Sequence, residues 1–278
     1  MSTLLALLLI PVASAEPDRV AAQWTIAAPA DAVIADSGET VAILGTGFTL
    51  LDLATWSTTA VAVCSSGGDP VGLAAGTATA SDGTTSDSFW VGCGDGTIER
   101  IDVTDRSPAL SSDVIEAATT AITSLEYDGA WLYVNETFAR RLSRFRVAAD
   151  GALWGRETVT TFGHGTYPDG LAFDAEGHVW ITSIISNRVL RVGPDGAAQV
   201  VLEDADPAHV QWCEDAYLAG TLGRPHLDRA AGRVLKNISS LAFGGPDLRT
   251  AYLGCLLGDA IAYFRTPVAG SAPFHWTY

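Results

Sequence analysis

The sequence predicts an all-β fold, a β-propeller with a short helical insertion. Two observations carry the propeller. Residues 167–202 read as four short strand patterns joined by tight turns, and partial copies of that block recur along the chain. A third observation agrees with them: the chain carries 28 glycines in 278 residues, which suits many turns.

The block opens with Asp169 in a Pro-Asp-Gly turn. An apolar strand follows at Leu171, Ala172 and Phe173, then a polar turn at 174–177. Strand patterns at 178–182, 188–192 and 198–202 complete one blade. LAFDAEGHVWI (171–181) aligns with LEYDGAWLYV (125–134), LAFGGPDLRTAYL (241–253) and VIADSGETVAIL (33–44). The faintest copy is GLAAGTATASDG (72–83), followed by FWVGC (89–93). Each copy leads into a half-buried third strand: FTLLDL, TIERIDV, RLSRFRV, RVLRV or AIAYF. Five repeats are recognisable, and a further short strand is expected at 23–27. The residues opening the inner strands are read as Asp31, Val71, Ala121, Asp169 and Ser239. In a propeller such residues ring one mouth of the central channel, where carboxylates from distant parts of the chain can meet a metal or ligand.

The spacing between the last two repeats is long because of an insertion at about 204–236. Asp206 is its expected N-cap, Pro207 its first helical residue, and Val210, Cys213 and Tyr217 its apolar stripe, with Gly220 as the stop. A second short helix is expected at 226–234. The insertion either covers the mouth or packs on the outer rim.

The formal net charge is −16, with no basic stripe, and this excludes nucleic acid as a partner. The surplus carboxylates serve either solubility or cation binding. Residues 1–15 combine a short apolar run (4–10) with Ala13-Ser14-Ala15, the pattern of a secretory signal. The expectation is one propeller domain at 16–278, periplasmic or secreted, with no membrane insertion because no apolar run is long enough to span a bilayer. The competing reading makes those first residues an ordinary buried strand. Four cysteines allow three pairings; Cys64 and Cys93, in strand-like runs of neighbouring repeats, are the first choice, and free buried thiols are the alternative. No GxSxG elbow, P-loop or HExxH is present.

The run Pro168-Asp169-Gly170-Leu171-Ala172-Phe173-Asp174, with Gly177, Trp180 and Asn187-Arg188-Val189, resembles the SMP-30/gluconolactonase/LRE-like family. So does Ala242-Phe243-Gly244-Gly245-Pro246-Asp247-Leu248-Arg249-Thr250. The resemblance implies a six-bladed propeller and a metal-dependent hydrolase of lactones or related esters. It also implies that Asp169 is a metal ligand and acid/base. The family's ligating Asn falls on Ala121 in this reading, and its EGP-type Glu has no counterpart.

Lactone hydrolysis needs a polarised carbonyl and an activated water, which a divalent cation such as Ca²⁺ or Zn²⁺ supplies. Asp31, by its repeat register, is the second candidate metal ligand, and Ser239 adds a hydroxyl to the substrate side. His164, just before Asp169, and His226, on the insertion, are the remaining candidate substrate contacts. His209, Glu214 and Asp228 are either further contacts or helix-surface residues, and Asn187 and Arg188 are read as structural. The alternative to a gluconolactonase-like enzyme is a propeller that has lost catalysis and serves as a binding or scaffolding module.

Overall fold

The structure, a computed structural model, describes residues 31–34, 40–44, 48–52, 58–65, 69–104, 107–110, 122–229 and 232–272. The expected signal segment, the strand at 23–27 and Ala121 lie outside these residues.

The described strands form five small antiparallel sheets. The first holds β1 (Asp31–Ile34), β2 (Thr40–Leu44), β3 (Phe48–Asp52) and β4 (Thr58–Val61). The second holds β5 (Pro70–Thr79), β6 (Thr85–Cys93), β7 (Ile98–Thr104) and β8 (Ser107–Leu110). The third holds β9 (Ile122–Tyr127), β10 (Trp131–Glu136), β11 (Arg141–Val147) and β12 (Leu153–Thr161). The fourth holds β13 (Pro168–Phe173), β14 (Val179–Ser183), β15 (Arg188–Val192) and β16 (Ala198–Glu203). The fifth holds β17 (Ile238–Gly244), β18 (Thr250–Cys255) and β19 (Ala262–Arg265). Each sheet is a meander in sequence order, as tight turns between consecutive strands require. The fold is a β-propeller whose five described blades match the five repeats.

The first strands of successive blades are neighbours: β1 with β5, β5 with β9, β9 with β13, and β13 with β17. Apolar side chains fill the spaces between blades. Phe48 meets Phe89 edge-on between the first and second. Trp90 packs with Leu125 and Leu132 between the second and third. Tyr133 and Leu142 pack with Leu171 and Ile181 between the third and fourth. Trp180 packs on Leu241, Leu253 and Phe243 between the fourth and fifth. Strand residues alternate between these two faces, which is why the repeats show apolar residues on both.

Cys64 and Cys93 form the expected disulfide, with Cα atoms 5.6 Å apart. Buried Glu99 holds the joined loop by accepting from the Cys64 and Ser65 amides at 2.7 and 2.6 Å. Cys213 and Cys255 are free thiols.

The insertion forms α1 (Pro207–Leu218), capped by the Asp206 carboxylate, which accepts from the amides of Ala208 and His209. The second helix is shorter and earlier than the sequence suggested. α2 spans Arg224–Leu227, with Pro225 in its first turn, and closes at Asp228. After the last described strand the chain returns to the fourth blade. There the Ala269 carbonyl accepts from the Ala175 amide at 2.9 Å, and the Ser271 amide donates to the Phe173 carbonyl at 2.9 Å.

Candidate active site at the bulged ends of the inner strands

Four inner strands share one irregularity at their opening end. Pairing shifts by one residue between Pro70 and Gly72, between Ile122 and Ser124, between Pro168 and Leu171, and between Ile238 and Ser240. The extra residues are Val71, Thr123, Asp169 and Ser239, each two positions before a core leucine (Leu73, Leu125, Leu171, Leu241). This corrects one expectation: the position of Asp169 in the third blade belongs to Thr123, not Ala121. Counting two residues back from Leu125 gives Thr123, as the same count gives Val71, Asp169 and Ser239 in the other blades.

The bulge at Asp169 is held from all sides. The Thr137 hydroxyl donates to the Pro168 carbonyl at 2.6 Å, and Asn135 Nδ2 donates to the Asp169 carbonyl at 2.6 Å. Within its own blade, the Gly170 amide donates to Thr182 Oγ1 at 2.9 Å and the Tyr167 amide to Ser183 Oγ at 2.9 Å. On the other flank the Gly170 backbone lies directly against the fifth blade. A Cβ there would sit 2.4 Å from the Ser239 carbonyl oxygen, so no residue with a side chain fits. Asp169 and Ser239 are thereby neighbours at one end of adjacent blades.

The insertion settles at this same end rather than on the outer rim. Val210 and Cys213 of α1 pack on Tyr167, Ile184 and Ile185. Gly165 permits the approach: its φ is +75°, and a Cβ would meet the Val210 side chain at 2.8 Å. The contact is fixed by a buried charge cluster. Glu214 Oε1 accepts from Arg140 Nη2 at 2.5 Å, from the Gly165 amide at 2.7 Å and from the Tyr167 hydroxyl at 3.0 Å. Arg140 also donates to the Tyr167 hydroxyl, and its guanidinium lies over the Tyr217 ring at 3.8 Å. Arg140 sits in the turn between β10 and β11 with φ +50°, as Asn187 does with φ +47° in the corresponding turn of the fourth blade. Burial alone would raise the Glu214 pKa, but the Arg140 and Gly165 bonds outweigh it and hold the carboxyl below its usual range. Burial likewise opposes the charge on Arg140, and Glu214 and Tyr167 overcome it. Burial pushes the Tyr167 phenol up.

The other sequence candidates are distributed as follows. His164 is exposed on the loop before β13, and its carbonyl accepts from Arg188 Nη1 at 2.9 Å. His226 stacks on Trp212 with ring centres 4.2 Å apart, and its Nδ1 lies 3.2 Å from the Gly223 amide. Asp31 opens β1 opposite Leu44, and its side chain is outside the described residues. Glu214 is the hub of the latch, and Asp228 pairs with Arg224 at 2.8 Å on the surface. His209 is buried with Nε2 3.5 Å from the Cys213 thiol. Burial lowers the His209 pKa and pushes the Cys213 thiol up to about 11, so this pair is neutral, the opposite of an activated nucleophile. Asn187 is structural as read: its Oδ1 accepts from the Ile238 amide at 3.1 Å. Sequence reasoning missed Arg140, Tyr167, Asn135 and Thr137. The signals available were the Arg140-Arg141 doublet in a turn and the tyrosine leading into Pro-Asp-Gly.

Among the described residues, no three His, Cys, Asp or Glu side chains group as a metal site. Beside the Asp169 bulge, Asn135 Oδ1 and Ser239 Oγ are buried oxygens without a hydrogen-bond partner. Buried polar atoms in that state call for a water or an ion.

The SMP-30/Gluconolactonase/LRE-like region profile matches residues 13–209. The chain is 30% identical over 174 residues to a 6-deoxy-6-sulfogluconolactonase of Pseudomonas putida, covering 59% of this chain and 49% of that protein. It thus spans about half the length of this curated relative. Two solved structures share the fold. One, described as a candidate gluconolactonase, has a TM-score of 0.53 at 17% identity, covering 87% of this chain and 75% of its own. The other, virginiamycin B lyase from Staphylococcus aureus, has a TM-score of 0.50 at 14% identity, covering 85% and 69%. At those identities the likeness is one of fold. The profile match, which spans more than half of the chain, makes the chain a member of the SMP-30/gluconolactonase/LRE-like family.

Proposed function

We propose that this protein hydrolyses a lactone or a closely related ester at the end of the propeller where Asp169 sits. The observation that carries the reading is the Asp169 bulge. The Asp169 backbone is held there by Asn135, at the end of the blades where Ser239 stands on the neighbouring strand and α1 is fixed by Glu214. Family membership and the sulfogluconolactonase relative support the reaction class. Asp169 and Ser239 would hold a divalent cation, Ca²⁺ or Zn²⁺, with Asp31 as a further candidate ligand. Such a cation, when bound, polarises the lactone carbonyl and lowers the pKa of a bound water. Asp169 takes a proton from the attacking water and returns it to the ring oxygen as the acyl C–O bond breaks, leaving a hydroxy acid. The Ser239 hydroxyl orients the substrate. His164 and His226, on the loop and the insertion at this end, are second-line contacts. The Cys64–Cys93 disulfide supports placing the protein in the periplasm or outside the cell.

A second reading is a binding propeller without catalysis. It draws support from the register, which puts Val71, Thr123 and Ser239 rather than carboxylates at the positions equivalent to Asp169. A chromogenic and pH-stat panel of five- and six-membered lactones, with and without added cation, separates the two. Hydrolysis lost in Asp169→Asn supports the enzyme; no turnover of any lactone supports the binding module.

A further inference from the structure

We infer that Asn135 and Thr137 of the third blade are positioning residues for Asp169 of the fourth, an inference that rests on the hydrolase reading above. A bulge forfeits ladder hydrogen bonds, so the residue it displaces is only as well placed as whatever replaces them. At this bulge Thr182 and Ser183 take the Gly170 and Tyr167 amides within the blade, and the donors to the Pro168 and Asp169 carbonyls come from another blade. The Thr137 hydroxyl donates to the Pro168 carbonyl at 2.6 Å. Asn135 Nδ2 donates to the Asp169 carbonyl at 2.6 Å and reaches the Gly170 carbonyl at 3.5 Å. The Pro168 and Asp169 carbonyls are thus held by two side chains that bracket Glu136, while Thr182 of the same blade shares the Gly170 carbonyl at 3.4 Å.

Both side chains are buried, Asn135 completely. Asn135 is also an expensive residue to keep there, since its Oδ1 has no partner. All its side-chain bonds go to Asp169 and Gly170. A residue kept only to join the blades would do better as an apolar one, as the neighbouring core of Tyr133, Leu142 and Leu171 shows. The Glu136 between them is itself fixed by Arg141, Arg156 and Ser143, at 2.5, 2.7 and 2.5 Å, which immobilises the strand end that carries the two donors. The chain therefore sets the height and direction of the Asp169 carboxylate from a rigid platform.

Misplacing a reacting group by about 1 Å costs on the order of 100-fold in rate. The test compares wild type, Thr137→Val, Thr137→Ser, Asn135→Leu and Asp169→Asn on the best lactone of the panel, with thermal unfolding of each. The expected result is a kcat loss of about tenfold to a hundredfold in Thr137→Val and Asn135→Leu with KM changed less than about threefold. Thr137→Ser, which keeps the hydroxyl, restores the rate. An Asp169-dependent activity whose kcat stays within about twofold in folded Thr137→Val overturns the positioning role alone. No hydrolysis, or hydrolysis indifferent to Asp169→Asn, overturns the hydrolase reading and the positioning role with it. If Asn135→Leu does not fold, the Thr137 pair decides.

Discussion

Replacing Glu214 by Gln should release α1 from the propeller without unfolding the blades. The Glu214 carboxylate side chain is 4% exposed and its partner Arg140 10%, so removing the charge strands a guanidinium in a space that water does not reach. Breaking a buried pair in this way costs about 3–5 kcal/mol. Opening here is local, because α1 meets the blades through a small cluster of Tyr167, Ile184, Ile185, Val210 and Cys213. At about 1.4 kcal/mol per tenfold, the open population should rise by about two to three and a half orders of magnitude. Cys213 reports it directly, since its thiol is fully buried on the propeller-facing side of α1. Its alkylation rate, followed by peptide mass spectrometry, should rise at least about 100-fold in Glu214→Gln. The paired change Arg140→Leu with Glu214→Leu should recover most of the protection, since two apolar groups leave no charge stranded. The latch is also acid-sensitive. The folded-state pKa of Glu214 lies below its ordinary value, so its contribution is complete above about pH 4.3 and is lost as pH falls through the folded value. Labelling of Cys213 within about threefold of wild type in Glu214→Gln would refute the reasoning.

Other outcomes follow from the same geometry. Glu136, lowered to about 2 against the pull of burial by Arg141, Ser143 and Arg156, contributes stability present above about pH 4.5 and lost between there and pH 2. Acid unfolding of Glu136→Gln should therefore lose about 2 kcal/mol of that dependence, read from denaturant midpoints at pH 7 and pH 3. Reducing Cys64–Cys93, whose partners are 29 residues apart, should cost about 3–4 kcal/mol, and a denaturant midpoint unmoved by reductant would contradict this. Gly170→Ala should impair folding or shift β13 from β17, because its Cβ would overlap the Ser239 carbonyl; a crystal structure or melting curve matching wild type would contradict it. Gly165→Ala should raise Cys213 labelling as Glu214→Gln does, since both lift the same helix.

Much of this was legible in the sequence, for physical reasons that can be named. The blades repeat because each must present an alternating strand to two neighbours, so Leu125, Leu171 and Leu241 stand at equivalent points and give the architecture away. The Cys64–Cys93 pair was readable because the two cysteines lie in neighbouring repeats, although Cys64 falls in the loop after β4 and Cys93 at the end of β6. The N-cap at Asp206 and the stripe of Val210 and Cys213 placed α1 correctly. What sequence could not show is the cross-blade chemistry. Arg140, Tyr167 and Glu214 are 74 residues apart at their extremes, and nothing local links them. Asn135 and Thr137 read as ordinary strand-end residues until the bulge they support is seen. Thr123 was legible too, two residues before Leu125 as Asp169 is before Leu171, but the sequence reading opens that strand at Ala121. The second helix ended early because Asp228 closes the turn begun at Pro225.

The central claim is that Asp169 sits in a hydrolytic, cation-holding end of the propeller. Its most direct test is the hydrolysis of a lactone panel by chelator-treated protein, wild type beside Asp169→Asn, with Ca²⁺ and Zn²⁺ added back in turn. Turnover should return with one of the cations in wild type and fall at least about 100-fold in Asp169→Asn. Turnover of equal rate in both proteins, or none in wild type at any cation concentration, would contradict it.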